Sequence, residues 1–326
     1  MITRRRGMAA LAASGMTLLA APRPAKAAWP ADRPIEVIVP YPPGGGVDSK
    51  ARVVLPFVQQ HLPGARFVVV NRPGAGGQLG WEAATSAAPD GYTLAATSVP
   101  ALVTYPIERS TRYRPEAFTY IANVVDDPGG VFVTANSPLK TLQDLLAAAR
   151  ARPGTITYGT TGVGSDDHLL VIGLEEAAKL QPMNHAPFNG MAPLSTALLG
   201  GHLEVGAFNM SESLALLRDN RIRCLGQAAA TRWATTPEVP TFREQGLDLI
   251  SGATRGIVAP PNLPAELRTK LEEAFRAALN DPGFKREAER LGLPLAPKIG
   301  EEYRRSVLAT EQELRALWAR RPWRDG

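Results

Sequence analysis

The sequence predicts an α/β protein built as two lobes. Three observations support this. Short β-branched apolar runs alternate with helical segments through tight glycine-rich turns, the pattern of a parallel α/β unit. At 326 residues the chain is long for one lobe and natural for two. Its 44% apolar and 21% charged content fits a globular protein with a sizeable core.

The elements follow in order. "IEVIVPY" from Ile35 is a buried strand, and the glycine loop after it opens a helix, "VDSKARVVLPFVQQHL", expected to bend or end near Pro56. "ARFVVVNRP" is the next strand, and a second glycine loop leads into the helix "QLGWEAATSAA". Asp90-Gly91 makes a turn before the strand "YTLAATS". Two apolar stretches then flank a break at Asp126-Asp127-Pro128-Gly129-Gly130, the expected crossing into the second lobe. Thr141 with Asp144 has the spacing of a capping box for a helix reaching Arg150. "TITYGT" is a strand, "TGVGSDD" a third glycine loop and "HLLVIGLEEAAKL" a helix. "MNHAPFNG" is strand plus loop, and "APLSTALLGGH" is a helix stopped by Gly200-Gly201. "LEVGAFN", "SLALLRDN" and "IRCLGQAA" read as strand, helix and strand. "ATRGIVAPPNLP" is the return to the first lobe, followed by three amphipathic helices, the first starting near Pro264. The expected division is residues 28–127 plus 256–326 for the first lobe and 128–255 for the second.

Residues 1–27 are expected to be an export signal: a basic start, an apolar middle from Met8 to Ala21, and Ala25-Lys26-Ala27 as the cleavage motif. The apolar run is too short to span a bilayer. Thr3-Arg4-Arg5-Arg6 hints at twin-arginine export, but Gly7 stands where that signal carries a bulky apolar residue, so Sec export remains open. Arg4, Arg5, Arg6, Arg23 and Lys26 account for the whole formal charge of +5, and the processed chain is near neutral. That removes the electrostatic case for nucleic-acid binding. Cys224 is the single cysteine, so no internal disulfide can form, and its strand-like setting suggests a buried structural role.

The glycine loops carry the functional signal. A helix N-terminus offers unpaired N–H groups and a partial positive charge, and glycine lets that backbone approach a ligand closely. Three such loops from two lobes could converge on one anion. Nucleotide motifs fail: Gly74 and Gly76 fit G-x-G-x-x-G, but Leu79 stands where the last glycine belongs, and the chain has no P-loop. Val163 breaks G-x-S-x-G around Ser165. His61, His168, His185 and His202 show no metal-site spacing, so neither a metal nor a cofactor is expected. His168, at a helix start, could bond a ligand or cap and pack. Asp48 suits a first helical turn, stabilising its dipole and capping backbone.

The segments "PYPPGGGVDSKAR", "VVVNRPGAGGQLGWEAATSAAPDGYTL", "SPLKTLQDLLAAARARPGTITYGTTGVGSDDHL", "FNGMAPLSTALLGGHLEVGAF" and "TPEVPTFREQG" resemble, in that order, the tripartite tricarboxylate transporter substrate-binding proteins, also called Bug or TctC-like receptors. The resemblance spans nearly the whole processed chain. It implies a periplasmic binding protein fold of type II topology: two α/β lobes joined by two strand crossovers, with the ligand cleft between them. It implies a small organic carboxylate as ligand, a di- or tricarboxylate or a related acid. One carboxylate would be held by backbone amides and ordered water at Pro43, Gly44, Gly45 and Gly46, with Tyr41 opening the same loop, and at Gly76 and Gly77. Thr160, Gly164, Ser165 and His168 would face them from the second lobe.

The chain departs from the family where the ligand's far end would be read. Phe188-Asn189-Gly190 replaces a frequent Tyr-Lys-Gly, whereas Asn209 keeps the usual Asp or Asn. Asp166-Asp167 is more acidic than the common serine-rich version. "SGATRGIVAP", with Arg255, replaces a tryptophan-containing stretch. Arg255 could pair with a second ligand carboxylate or form a salt bridge near the hinge. The expectation is an exported, monomeric, non-enzymatic solute-binding receptor in the periplasm, delivering its ligand to integral membrane transporter subunits. The alternative is a secreted α/β enzyme acting on an anionic substrate, which would require a nucleophile–base pair or a metal.

Overall fold

A computed structural model describes residues 29–323. The expected export signal lies outside them. Among the described residues no helix is long and apolar enough to cross a membrane.

The first three strands, β1 (Ile35–Val39), β2 (Phe67–Asn71) and β3 (Thr93–Ala96), pair in parallel in the order β2-β1-β3. They are connected by α1 (Gly46–Gln60) and α2 (Gln78–Thr85), and α3 (Ala101–Glu108) follows β3. The chain then enters β4 (Thr119–Thr134), a 16-residue strand. The second lobe contributes α4 (Leu142–Ala151), β5 (Thr157–Thr160), α5 (Asp166–Ala177), β6 (Asn184–Pro187), α6 (Met191–Leu199), β7 (Val205–Asn209), α7 (Met210–Arg218) and β8 (Ile222–Gln227). β9 (Gly252–Ala259) returns, and α8 (Ala265–Asn280), α9 (Pro282–Leu291), β10 (Leu295–Ile299) and α10 (Glu301–Arg320) complete the described fold.

Two antiparallel strands join the lobes. β4 pairs with β9 from Thr119↔Ala259 to Pro128↔Gly252. From Gly129 onward β4 pairs instead with β7 and β8. β3 lies beside β9, so a strand arriving from the second lobe completes the first lobe's sheet, and β10 adds to it along β4.

Alternation along the strands shows why each sheet needs helices on both faces. Ile35, Val37 and Val39 of β1 join one apolar cluster with α1, α8 and α9, while Ile38 joins another with Trp81, Leu102 and Tyr303. In the second lobe Val131 and Val133 of β4 pack with Leu142, Leu146 and Leu174, while Phe132 turns to the opposite cluster and stacks on Phe208, centroids 4.1 Å apart.

Three expectations change. The Asp126–Gly130 stretch is no break: it runs as continuous strand, because β9 pairs with Asp126 to Pro128 and β7 takes over at Gly129. α1 continues past Pro56 to Gln60. α3 and β10 were not anticipated. α3 carries Pro106 and β-branched residues that disfavour a helix in isolation. β10 contains Pro297 and pairs through an irregular register, as an edge strand tolerates. The Thr141–Asp144 capping box forms as expected, with both backbone bonds made.

Candidate functional site

The first glycine loop is fastened from behind. Asp48 accepts the Gly44 N–H at 2.9 Å and the Asn71 amide at 2.9 Å, and Arg52 donates to it. Asn71 also donates to the Tyr41 carbonyl at 3.0 Å. These bonds hold the Asp48 carboxyl below its ordinary value, although burial opposes them. The Gly44 amide is therefore engaged internally, and Asp48 has the capping role its position suggested. The N-cap of α1 is Gly45, which makes no side-chain cap bond, and among the described residues no side chain takes its place at the first N–H groups.

Gly46 is the close-approach position of this loop. A Cβ there would lie 2.1 Å from Glu212 Oε1 and 2.7 Å from an Arg255 guanidinium nitrogen. Gly45 has an ordinary φ of −72° and room for a Cβ, and Pro43 is exposed. In the second loop a Cβ on Gly76 would collide with the Tyr105 hydroxyl at 2.2 Å, and one on Gly77 would touch Tyr41 and Trp81 at 3.2 Å. Both have positive φ, 69° and 109°, which glycine adopts without strain. Tyr41 is held edge-on to Trp81; burial, then Tyr105, raises its hydroxyl pKa well above the usual value.

Behind Gly46 lies a buried polar network joining both lobes. Arg255, on β9, is 7% exposed. It donates to Asp127 Oδ2 at 3.1 Å and Asn209 Oδ1 at 2.6 Å and lies 3.4 Å from Glu212. Its Nε is buried without a hydrogen-bond partner among the described residues. Burial alone would lower the guanidinium pKa, but Glu212, then Asp127, Asp166 and Asp167, hold it above the usual value. Lys50, on α1, bonds Ser211 at 2.9 Å and pairs with Asp127 at 3.2 Å; burial depresses its ammonium. Asn209 donates to Asp166 at 2.7 Å. Burial raises the carboxyls of Asp166 and, more strongly, Asp167, where Asp166 adds to the effect. Asp167 bonds the Thr161 hydroxyl and leaves its Oδ1 buried without a hydrogen-bond partner among the described residues.

The third loop uses its polar groups mainly on itself. Ser165 caps α5 by accepting the His168 N–H at 3.2 Å, and His168 Nδ1 accepts the Gly164 N–H at 3.2 Å. His168 stacks on His185 with centroids 4.0 Å apart, and the Thr160 hydroxyl bonds His185 at 2.7 Å. Thr160, Ser165 and His168 thus shape the loop. Asn189 stands exposed at its edge.

The structure brings Gly46, Asn209 and Arg255 together, while Tyr41 lies against Gly77 and Trp81 of the second loop. Lys50, Asp127, Ser211, Glu212 and Tyr105 belong to this region and were not anticipated. Lys50 had a signal: it follows Val47 by three and precedes Val54 by four, on the apolar face of α1. Asp127 had another, an acid inside an apolar strand run. Among the described residues no group of His, Cys, Asp and Glu could hold a metal. A groove of about 820 Å³ lies elsewhere, between Pro128, Gly252 and Thr254 and the α10 residues Leu314 and Leu317, and no anticipated site residue lines it.

Residues 51–311 match the family described as "Tripartite tricarboxylate transporter family receptor". The chain is 31% identical to the "UPF0065 protein in gbd 5'region" of Cupriavidus necator, over 96% of this chain and 94% of that protein. It is similar to R. palustris Rpa4515 solved with adipate, at 26% identity and TM-score 0.82, covering 89% of this chain and 97% of that one. It is also similar to MatC (Rpa3494) from Rhodopseudomonas palustris with bound malate, at 27% identity and TM-score 0.74, covering 87% and 97%.

Proposed function

Because the chain belongs to the tripartite tricarboxylate transporter receptor family, we propose that it is a periplasmic receptor that captures a small organic carboxylate between its lobes and delivers it to membrane transporter subunits. One observation carries the ligand class: buried Arg255, with an unpartnered Nε, lies against the uncapped start of α1 where the lobes meet. A carboxylate can accept from such a guanidinium and from helix N–H groups together, and burial strengthens both bonds. The adipate and malate bound by the two structural relatives support the same class.

In this reading the first lobe supplies Tyr41, Gly46, Gly76 and Gly77, and the second supplies Asn209 and the start of α5 around Asp166. β4 and β9 are the crossovers about which the lobes open and close. Closure buries the acid, and opening releases it to the transporter.

Thermal denaturation of the processed chain against mono-, di- and tricarboxylates tests this. An acid that binds only the folded state raises the melting temperature, by about 2.7 kcal/mol of stabilisation at a hundredfold excess over Kd. Stabilisation by at least one di- or tricarboxylate is expected. Stabilisation by nucleotides or divalent metals alone would overturn the receptor reading.

A further inference from the structure

We propose that Glu212 is a placeholder anion: its carboxylate occupies the place between Gly46 and Arg255 that a carboxylate of the bound acid takes, and ligand binding displaces it. The inference rests on the receptor reading above and adds the residue that sets how readily the seat accepts an acid.

Four acids surround the two buried cations, and they differ in how firmly they are held. Asp127 is fully buried and is bonded by the Ser211 N–H at 3.1 Å, the Ser211 hydroxyl, Lys50 and Arg255. Asp166 is tied to Asn209, and Asp167 to Thr161. Glu212 is the exception. Its side chain is 14% exposed, and it pairs with Arg255 at 3.4 Å, longer than a charge-assisted hydrogen bond. It can swing towards solvent without breaking a bond network.

Its location is that of a ligand group. Glu212 comes from α7 in the second lobe, yet Oε1 lies 2.1 Å from where a Gly46 Cβ would be, at the first turn of α1 in the first lobe. It pairs with Arg255 at 3.4 Å but leaves the buried Nε unpartnered among the described residues. A free carboxylate, unconstrained by a helix backbone, can turn to accept from Nε and the adjacent nitrogen together. An ammonium-bearing ligand group would instead meet Lys50 and Arg255 and leave Nε unpaired.

The test is calorimetric titration of wild type and Glu212→Gln with succinate, malate and adipate, with Glu212→Ala as a second variant and melting curves to confirm folding. Removing the competing charge should tighten acid binding by up to about fivefold in both variants. Unchanged or weaker binding in both folded variants, with wild type binding normally, would overturn the placeholder and leave the receptor reading intact. Binding by the variants but not by wild type supports the placeholder. No binding of these acids by any of the three proteins overturns the placeholder, and the receptor reading is then decided by the wider acid screen. A structure with bound acid should show the Glu212–Arg255 contact broken; its persistence at 3.4 Å would also overturn the proposal.

Discussion

The Thr104 hydroxyl donates to the Gly164 carbonyl at 3.0 Å, tying α3 of the first lobe to the third glycine loop of the second. Trp323 reinforces this seam. It is 1% exposed, packs with Leu169 and Ile172 of α5, and lies 3.1 Å from where a Gly164 Cβ would sit. Arg321 alongside it bonds Glu175 and the Ile172 carbonyl. The segment after α10 therefore joins the lobes away from β4 and β9. Trp323→Ala should cost about 3–5 kcal/mol in urea unfolding, the range for large aromatic truncations. Trp323→Phe should cost much less, because it keeps most of the packing and removes an indole N–H that is buried without a partner among the described residues. Equal losses in the two variants would refute the packing account.

Gly46→Ala and Gly45→Ala should separate cleanly. The first places a methyl 2.1 Å from Glu212 and 2.7 Å from Arg255, so the lobes cannot meet as they do here; the second meets only the Pro42 carbonyl at 3.7 Å. Gly46→Ala should abolish the acid-dependent rise in melting temperature with only a small change without ligand. Gly45→Ala should retain that rise. The expected order is set by distance, and a reversed order in the thermal-shift assay would refute it.

The Lys50–Asp127 pair predicts a stability effect of its own. Asp127→Asn leaves Lys50 and Arg255 buried beside a neutral group, and losing one partner of a buried pair costs about 3–5 kcal/mol. Lys50→Met should cost less, since Asp127 keeps Arg255 and Ser211. Guanidinium unfolding of both variants measures the difference, and a larger loss for Lys50→Met would contradict it.

The sequence made most of the strands and most of the helices legible because their signals are local: apolar period, glycine turns and a capping pair. Membership of the receptor family was legible for the same reason, since its motifs sit in those turns. The side-chain network was not. Lys50, Asp127, Glu212 and Arg255 come from α1, β4, α7 and β9, and no short-range pattern records that four distant segments meet. The glycine loops also behave less alike than their composition suggested. Gly44 gives its N–H to Asp48, Gly164 gives its own to His168, and the start of α1 stays uncapped.

Two groups of acids predict opposite pH responses in windows that meet at about pH 4. Glu82 accepts from Gln78 and three times from Arg112, and its carboxyl falls from the ordinary 4.5 to about 2. A lowered folded-state value means that the unfolded chain binds more protons in this interval. Stability from Glu82 is therefore present above 4.5 and lost as the pH falls towards 2. Asp166 and Asp167 are shifted upward, chiefly by burial, so the folded chain keeps protons that the unfolded chain releases. Their contribution declines as the pH rises from about 3.9 towards their raised values. Urea unfolding across this range should show Glu82→Gln flattening the acid limb and Asp167→Asn flattening the decline above it. Persistence of the upper decline in a double Asp166→Asn, Asp167→Asn variant would assign it to other groups and refute the account.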